Sequence, residues 1–244
     1  METPPVDSGP VGESAASPVG RVVGTFVSPG PTFASIARRP GWIAPLLLST
    51  VLSVVLSAVL LPRMDFEAAV RERLAERGET VSEERIEKIV SAQKRYAGFG
   101  YVWATCAPAL VSLAVAGIFW LSFKAFGWEL SYRQSFGVTT HAFLPTLFAS
   151  LLLIFFVGRL ERVNPADLDD LVKSNPGFLV DRHANPVLHS LVQSIDVFSI
   201  WAFALLVLGF ALAAKVTRGK AAAVIGTLWA VYVLGKAGLT AVFS

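Results

Sequence analysis

One cysteine and three histidines among 244 residues leave little material for redox or metal chemistry. Cys106, being alone, excludes an intrachain disulfide and a thiolate cluster, and within its apolar run it reads as a small packed residue. The motifs of common hydrolytic and nucleotide sites are missing as well. There is no HExxH, no GxSxG and no GxxxxGK(S/T), and no two aspartates stand in neighbouring apolar runs where they would form an intramembrane protease dyad. Neither sign of charge dominates: 21 basic residues face 18 acidic ones, a net charge of +3 that offers no field suited to nucleic acid. The chain is therefore expected not to be an enzyme, with no catalytic residue, no cofactor, no metal and no nucleic-acid partner.

Apolar sequence is what the chain has in quantity. Hydrophobic residues make up 54% of it and the mean hydropathy is +0.59, with charges gathered at the flanks of apolar runs rather than interspersed. Runs at about 42–61, 101–123, 136–157, 196–214 and 221–243 are each long enough to cross a hydrocarbon core of roughly 30 Å. They predict an all-α polytopic membrane protein with five transmembrane helices and helical loops outside the membrane. Pro108 and Pro145 lie inside the second and third runs and predict kinks there.

The connecting segments differ in character. Residues 1–20 are rich in Pro, Gly, Ser and Ala, carry Glu2, Asp7 and Glu13, and read as a disordered polar tail. Residues 21–40 are broken at Ser28 to Pro31, after which Phe33, Ile36 and Ala37 recur at helical spacing before Arg38 and Arg39; this predicts an amphipathic segment lying on the membrane surface. In the charged loop 65–96, Phe66, Val70 and Leu74 share one helical face while Glu67 and Arg71 are placed to pair. Gly78 suits the end of that helix, and Thr80 to Glu83 has the spacing of a capping box for a second helix with an Ile86, Ile89, Val90 stripe. In the loop 159–194, Asn164-Pro165 and Asn185-Pro186 each place a capping residue before a helix-starting proline. One helix is predicted from Pro165 to Ser174, and another from Pro186 running straight into the fourth span. The acids and histidines here (Asp167, Asp169, Asp170, Asp181, His183, His189) lack a ligand spacing, and the helix dipole already accounts for acids in a first turn.

Three ionisable groups lie at or near membrane depth: His141, Asp196 and Lys236. His141, one turn before Pro145, is a candidate polar site whose alternative is ordinary helix packing. Counted from the turn between the last two runs, Asp196 and Lys236 lie about 27 and 22 Å along their helices, within reach of an ion pair. The alternative is that Asp196 caps its helix while Lys236 snorkels alone. Basic residues before the first span and in the short connections (Arg21, Arg38 and Arg39; Lys124 and Arg133; Lys215, Arg218 and Lys220) fall on one side of a five-span arrangement. By the positive-inside rule that side is the cytoplasm, with the amino terminus inside and the carboxyl terminus outside.

The sequence resembles the Yip family, membrane proteins named for interaction with Ypt/Rab GTPases, and more closely its bacterial members. The resemblance runs through Phe26, Pro29, Phe33, Pro40, Trp42 and Pro45; through Phe136 and Ala142 to Pro145; through Asn164 and Pro165; and through Asp196 to Trp201 with Gly209 beyond. It implies five membrane helices, a cytoplasmic amino terminus and no catalytic site. The charged loop and polar amino-terminal stretch depart from a eukaryotic GTPase-binding region, so no GTPase partner is carried over. The resulting expectation is a non-enzymatic scaffold or adaptor of a bacterial inner membrane. Its partners would be membrane lipids, another membrane protein or a second copy of itself in a homo-oligomer. The alternative is a small-solute or ion transporter that uses the polar groups between spans.

Overall fold

Lipid offers no hydrogen-bond partner to a bare peptide group, so apolar runs of this length fold as helices. The computed structural model describes residues 17–76, 78–182 and 184–243. These hold α1 (Pro18–Val27), α2 (Pro29–Arg38), α3 (Ile43–Leu60), α4 (Phe66–Glu76), α5 (Glu83–Ala97) and α6 (Phe99–Ala125). They continue with α7 (Tyr132–Ala142), α8 (Thr146–Val157), α9 (Leu168–Leu171), α10 (Pro186–Gln193), α11 (Val197–Ala213) and α12 (Arg218–Phe243). No strand occurs among the described residues. Four stretches, 43–63, 99–125, 132–157 and 218–242, are long and apolar enough to cross a membrane, and α10 with α11 makes a fifth if that pair, bent by 50°, counts as one span. The protein is an all-α polytopic membrane protein.

The two internal prolines act differently. α6 continues through Pro108, whereas Pro145 divides the third span into α7 and α8. At that break the Leu144 amide donates to the His141 carbonyl, and the Thr146 hydroxyl takes up the Phe143 carbonyl. The freed groups are thus satisfied locally, as a proline inside a membrane helix requires.

At the centre stands α11, with Leu205, Leu206, Gly209 and Phe210 buried among α2, α7 and α12. The amino-terminal segment differs from a surface-lying amphipathic stretch. Most of the expected polar tail, residues 1–16, lies outside the described residues, but Pro18 to Gly20 already belong to α1. α1 and α2 form a helical hairpin that enters the bundle, turning at Ser28. Near its tip, Phe26 meets Phe148 and Trp201 edge-on, and Trp201 precedes the end of α11 by about 18 Å of helix. Phe33 and Ile36 are fully buried. The hairpin is admitted by glycines: a Cβ on Gly209 would stand 2.7 Å from Phe33 Cδ1 and 2.5 Å from Val138 Cγ1. A Cβ on Gly24 would likewise run into the Thr32 hydroxyl across the hairpin. The side chains that read as a membrane-facing stripe are therefore core, because the bundle supplies backbone grooves deep enough to take them.

Away from this core, the two long loops join each other. Val163 bridges to Met64, with the Asp65 amide donating to Val163 O and the Val163 amide to Arg63 O at 2.8 Å each. Arg182 reaches from the second loop to Glu72 of α4 at 2.6 Å and to Asp167 at 3.2 Å, and Asn164 donates to Glu72. Within the first loop, Arg71 pairs with Glu67 at 3.0 Å, and Gly78 takes the positive φ of 65° that ends α4. The capping box at Thr80 does not form. α5 begins at Glu83 after Ser82, and the Glu83 carboxylate is engaged by Arg71 at 2.6 Å. The helix expected from Pro165 to Ser174 is shorter, a single 3-10 turn followed by α9, and Asn175 caps the 3-10 turn Pro176–Leu179 through the Gly177 amide.

Two predictions follow from this packing. Gly209→Ala forces Phe33 and Val138 apart and is expected to cost about 1–3 kcal/mol, seen as a lower unfolding temperature of the detergent-solubilised protein. A Gly30→Ala control, where a Cβ meets nothing within 4 Å, stays near wild type. Acid should loosen the α4–α5 hairpin. The hydrogen bond from Arg71, reinforced by its charge, holds the Glu83 carboxyl below its ordinary value of 4.5. The Ala68 amide foremost, with Arg162, holds Asp65 below 3.8 against the opposing effect of burial. Both groups stabilise the fold fully above those ordinary values and lose that contribution as pH falls through the depressed ones. Amide exchange in α4–α5, corrected for intrinsic rate, should therefore speed up below about pH 4.

Candidate functional site

Polar side chains at membrane depth collect in two clefts near opposite ends of the bundle. The first, of about 300 Å³, is where α8, the second long loop and the ends of α10, α11 and α12 meet, and it is lined by Ser174, Asn175, Gln193, Asp196 and Lys236. Asp196 is the amino-terminal cap of α11: its Oδ1 accepts from the amides of Phe198 at 2.9 Å and Ser199 at 3.0 Å, and its Oδ2 from the Ser174 hydroxyl. Lys236 donates instead to Gln193 Oε1 at 3.1 Å.

The expected Asp196–Lys236 ion pair is thus replaced by two separate arrangements facing one cleft. The cause is the bend before α11. The reading of α10 as a straight extension of the fourth span is corrected by a 50° break at Ser194 to Asp196. The break lays α10 against α12 and inserts Gln193 beside the lysine. It also exposes two α11 amides that the Asp196 carboxylate then caps, as helix ends require. On the same helix as Lys236, Tyr232 points outward, 65% exposed, while Trp229 meets Phe203.

The second cleft, of about 290 Å³, lies where the base of the α1–α2 hairpin meets the starts of α3 and α7. Arg21, Trp42, Arg133 and His141 line it. His141 is buried, and its Nδ1 lies 2.9 Å from the Gly137 carbonyl, so Nδ1 carries the proton there. Arg21 closes the hairpin by donating from Nη1 to the Arg39 carbonyl at 2.7 Å.

The two clefts share no lining residue. The buried side chains of Val138, Leu144 and Phe210 occupy the bundle interior between them, while the Phe26, Phe148 and Trp201 rings cluster near the hairpin tip, with Phe148 and Trp201 partly facing outward. His141 is therefore not brought together with Asp196 and Lys236. In the second long loop, Asp167 is engaged by Arg182, and Asp181 accepts from the Ala184 amide at 3.2 Å. His183 lies outside the described residues.

The residues carrying the family resemblance fall into two groups in space. Pro29 starts α2, Phe33 packs on Gly209, Pro40 lies against Gly137, Trp42 contacts the Phe136 ring at 5.3 Å, and Trp201 contacts Phe26 at 5.7 Å. With Pro145 at the α7–α8 break, these build the seat of the hairpin. Asn164, Pro165 and Asp196 belong to the other end, where the loops join and α11 is capped. Arg21 counts in the sequence only toward the basic flank before the first span; its burial in this cleft carries no periodic signal.

Because Asp196 and Lys236 hold different partners, their effects should add. Asp196→Ala removes the cap of α11 at a cost of about 1 kcal/mol, and Lys236→Met removes the bond to Gln193. The double variant is expected to lose the sum of the two in thermal stability, whereas a coupling of 0.5 kcal/mol or more would reveal a direct pair.

No curated protein and no solved structure matches the chain. The family model of the Yip1 domain matches residues 23–239, from the α1–α2 hairpin almost to the end of α12. The protein belongs to the Yip1 domain family of integral membrane proteins.

Proposed function

We propose that the protein is a non-enzymatic scaffold or adaptor that organises other components of a bacterial inner membrane, with a second membrane protein as its partner. The observation carrying this reading is that the bundle is packed shut between its two polar clefts, with Phe33, Val138, Leu144 and Phe210 each fully buried in the interior. A transporter would need a continuous polar route linking His141 to Asp196 or Lys236. The joined loops offer such an adaptor a second, charged surface outside the membrane, pinned by Arg182 between Glu72 and Asp167.

The orientation belongs to the same proposal. Lys124 and Lys215 line one cleft beside Gln134, whose side-chain amide donates to Ala37 O next to Arg38 and Arg39. The basic short connections thus share one end of the bundle, which the positive-inside rule assigns to the cytoplasm. The amino terminus is then cytoplasmic, and the joined loops and the carboxyl terminus are extracytoplasmic.

In-membrane photo-crosslinking from probes at Tyr232 and Leu239 on the exposed face of α12 should capture one dominant membrane protein. The capture should weaken when Leu239 is replaced by a bulkier residue. A dominant self-adduct would make the partner a second copy. Flux of a small solute into proteoliposomes, abolished by Lys236→Met, would overturn the scaffold reading in favour of transport.

A further inference from the structure

Among the described residues, the cleft beside α3 holds cationic groups without anionic partners. Arg21 is 9% exposed; among the described residues its side chain makes a single hydrogen bond, and its buried Nε has no partner. A guanidinium carries five donors and keeps its charge at any physiological pH, so leaving most of them unmet in a nearly buried site is costly. Arg133, which also lines the cleft, forms no ion pair with a described residue, and no acid lines the cleft among the described residues. The 18-residue α3 also starts here. Trp42 at its cap position provides no side-chain hydrogen bond, and the amides of Ile43 and Ala44 lie before the first intrahelical donors. Such a helix end favours an anion.

Below the cationic part the wall turns apolar. Ile43 lines the cleft, and Leu47 and Val51 follow it at successive turns of α3, all of them about 60% exposed (59%, 59% and 60%). Gly41 keeps the rim open, since a Cβ there would stand 3.0 Å from Arg21 Nη1. A cationic pocket at the end of the bundle, continued by an apolar strip along the outside of a membrane helix, matches a molecule with a phosphate at one end and an acyl chain at the other.

We propose that this cleft binds an anionic phospholipid. Its headgroup phosphate accepts from the guanidinium groups of Arg21 and Arg133 at the start of α3, and one acyl chain lies along Ile43, Leu47 and Val51. The site also ties the hairpin to the bilayer, because Arg21 joins α1 to the end of α2 through Arg39 O. This binding is independent of whether the protein acts as an adaptor.

The test is native mass spectrometry of the full chain released from mixed micelles holding equal amounts of phosphatidylglycerol and phosphatidylcholine with identical acyl chains. Wild type should retain one phosphatidylglycerol in preference to phosphatidylcholine. Arg133→Gln, at an exposed side chain with no structural contact to lose, should lower that retention about fivefold. Arg21→Gln should abolish it, and Arg21→Lys, which keeps the charge but loses the fork, should restore it only in part. Ile43→Ser should weaken retention of the lipid while leaving inorganic phosphate without effect as a competitor. Equal retention of the two lipids, or no change with Arg133→Gln, would overturn the site. Displacement of the lipid by millimolar inorganic phosphate would overturn the lipid assignment and leave a free-anion site. Should Arg21→Gln fail to fold, Arg133→Gln and Ile43→Ser decide alone.

Discussion

The contact of Phe33 with the bare backbone of Gly209 is what the rest of the bundle depends on. A phenylalanine ring buries on the order of 200 Å², and here it can do so only because α11 presents no side chain at that point. In lipid the apolar effect does not drive helices together, since tails are as apolar as side chains, so close backbone approach and dispersion must supply the association. Small residues in α11 and α7, Gly209 and Gly137 among them, provide that approach on two sides of α2. Everything attached to the hairpin inherits its position: the Phe26 rings at the tip, the Arg21 closure at the base, and the start of α3 beyond Pro40.

Much of this was legible in the residues. Long apolar runs place the spans because length against bilayer thickness is a strong constraint, and the helices at 66–76 and 83–97 follow from their stripes and from Glu67 with Arg71. What escaped were the features set by tertiary contact. Phe33, Ile36 and Ala37 have the spacing of an amphipathic helix whether the apolar face meets lipid or a groove between helices, and only the glycine opposite decides. Asp196 and Lys236 are matched in depth along their own helices, but depth alone does not show that α10 folds back and sets Gln193 beside the lysine. The same bend frees the amides of Phe198 and Ser199, and the Asp196 carboxylate caps them instead of meeting the lysine. The Thr80 box yields for a related reason, since Glu83 is held by Arg71 instead of turning back to cap the helix.

The two ends of the molecule are stabilised by different physics. At one end, charges of two loops far apart in sequence are neutralised against each other, Arg182 serving two acids and Arg71 another two. Networks of that sort in water each contribute modestly and chiefly fix the register of the loops. At the other end, positive groups outnumber the described acids: Arg21 and Arg133 line a cleft with none, and Lys124 and Lys215 line another with a single acid, Glu129. Charge balance there has to come from outside the described chain, from solvent ions or from the membrane itself.

The break before α11 has a further consequence, for membrane thickness. α11 has 17 residues, about 25 Å of helix, whereas a typical hydrocarbon core is roughly 30 Å thick. α10 turns away from the bundle axis instead of lengthening α11, and the hairpin helices reach only part of the way across. Along the side where α11 and the hairpin reach the surface, the apolar belt is short. A bilayer that is thin by a few ångströms seats this face at lower cost, and each ångström of mismatch carries a fraction of a kcal/mol. Where α11 meets lipid, its length corresponds to a hydrocarbon layer a few ångströms thinner than the typical one.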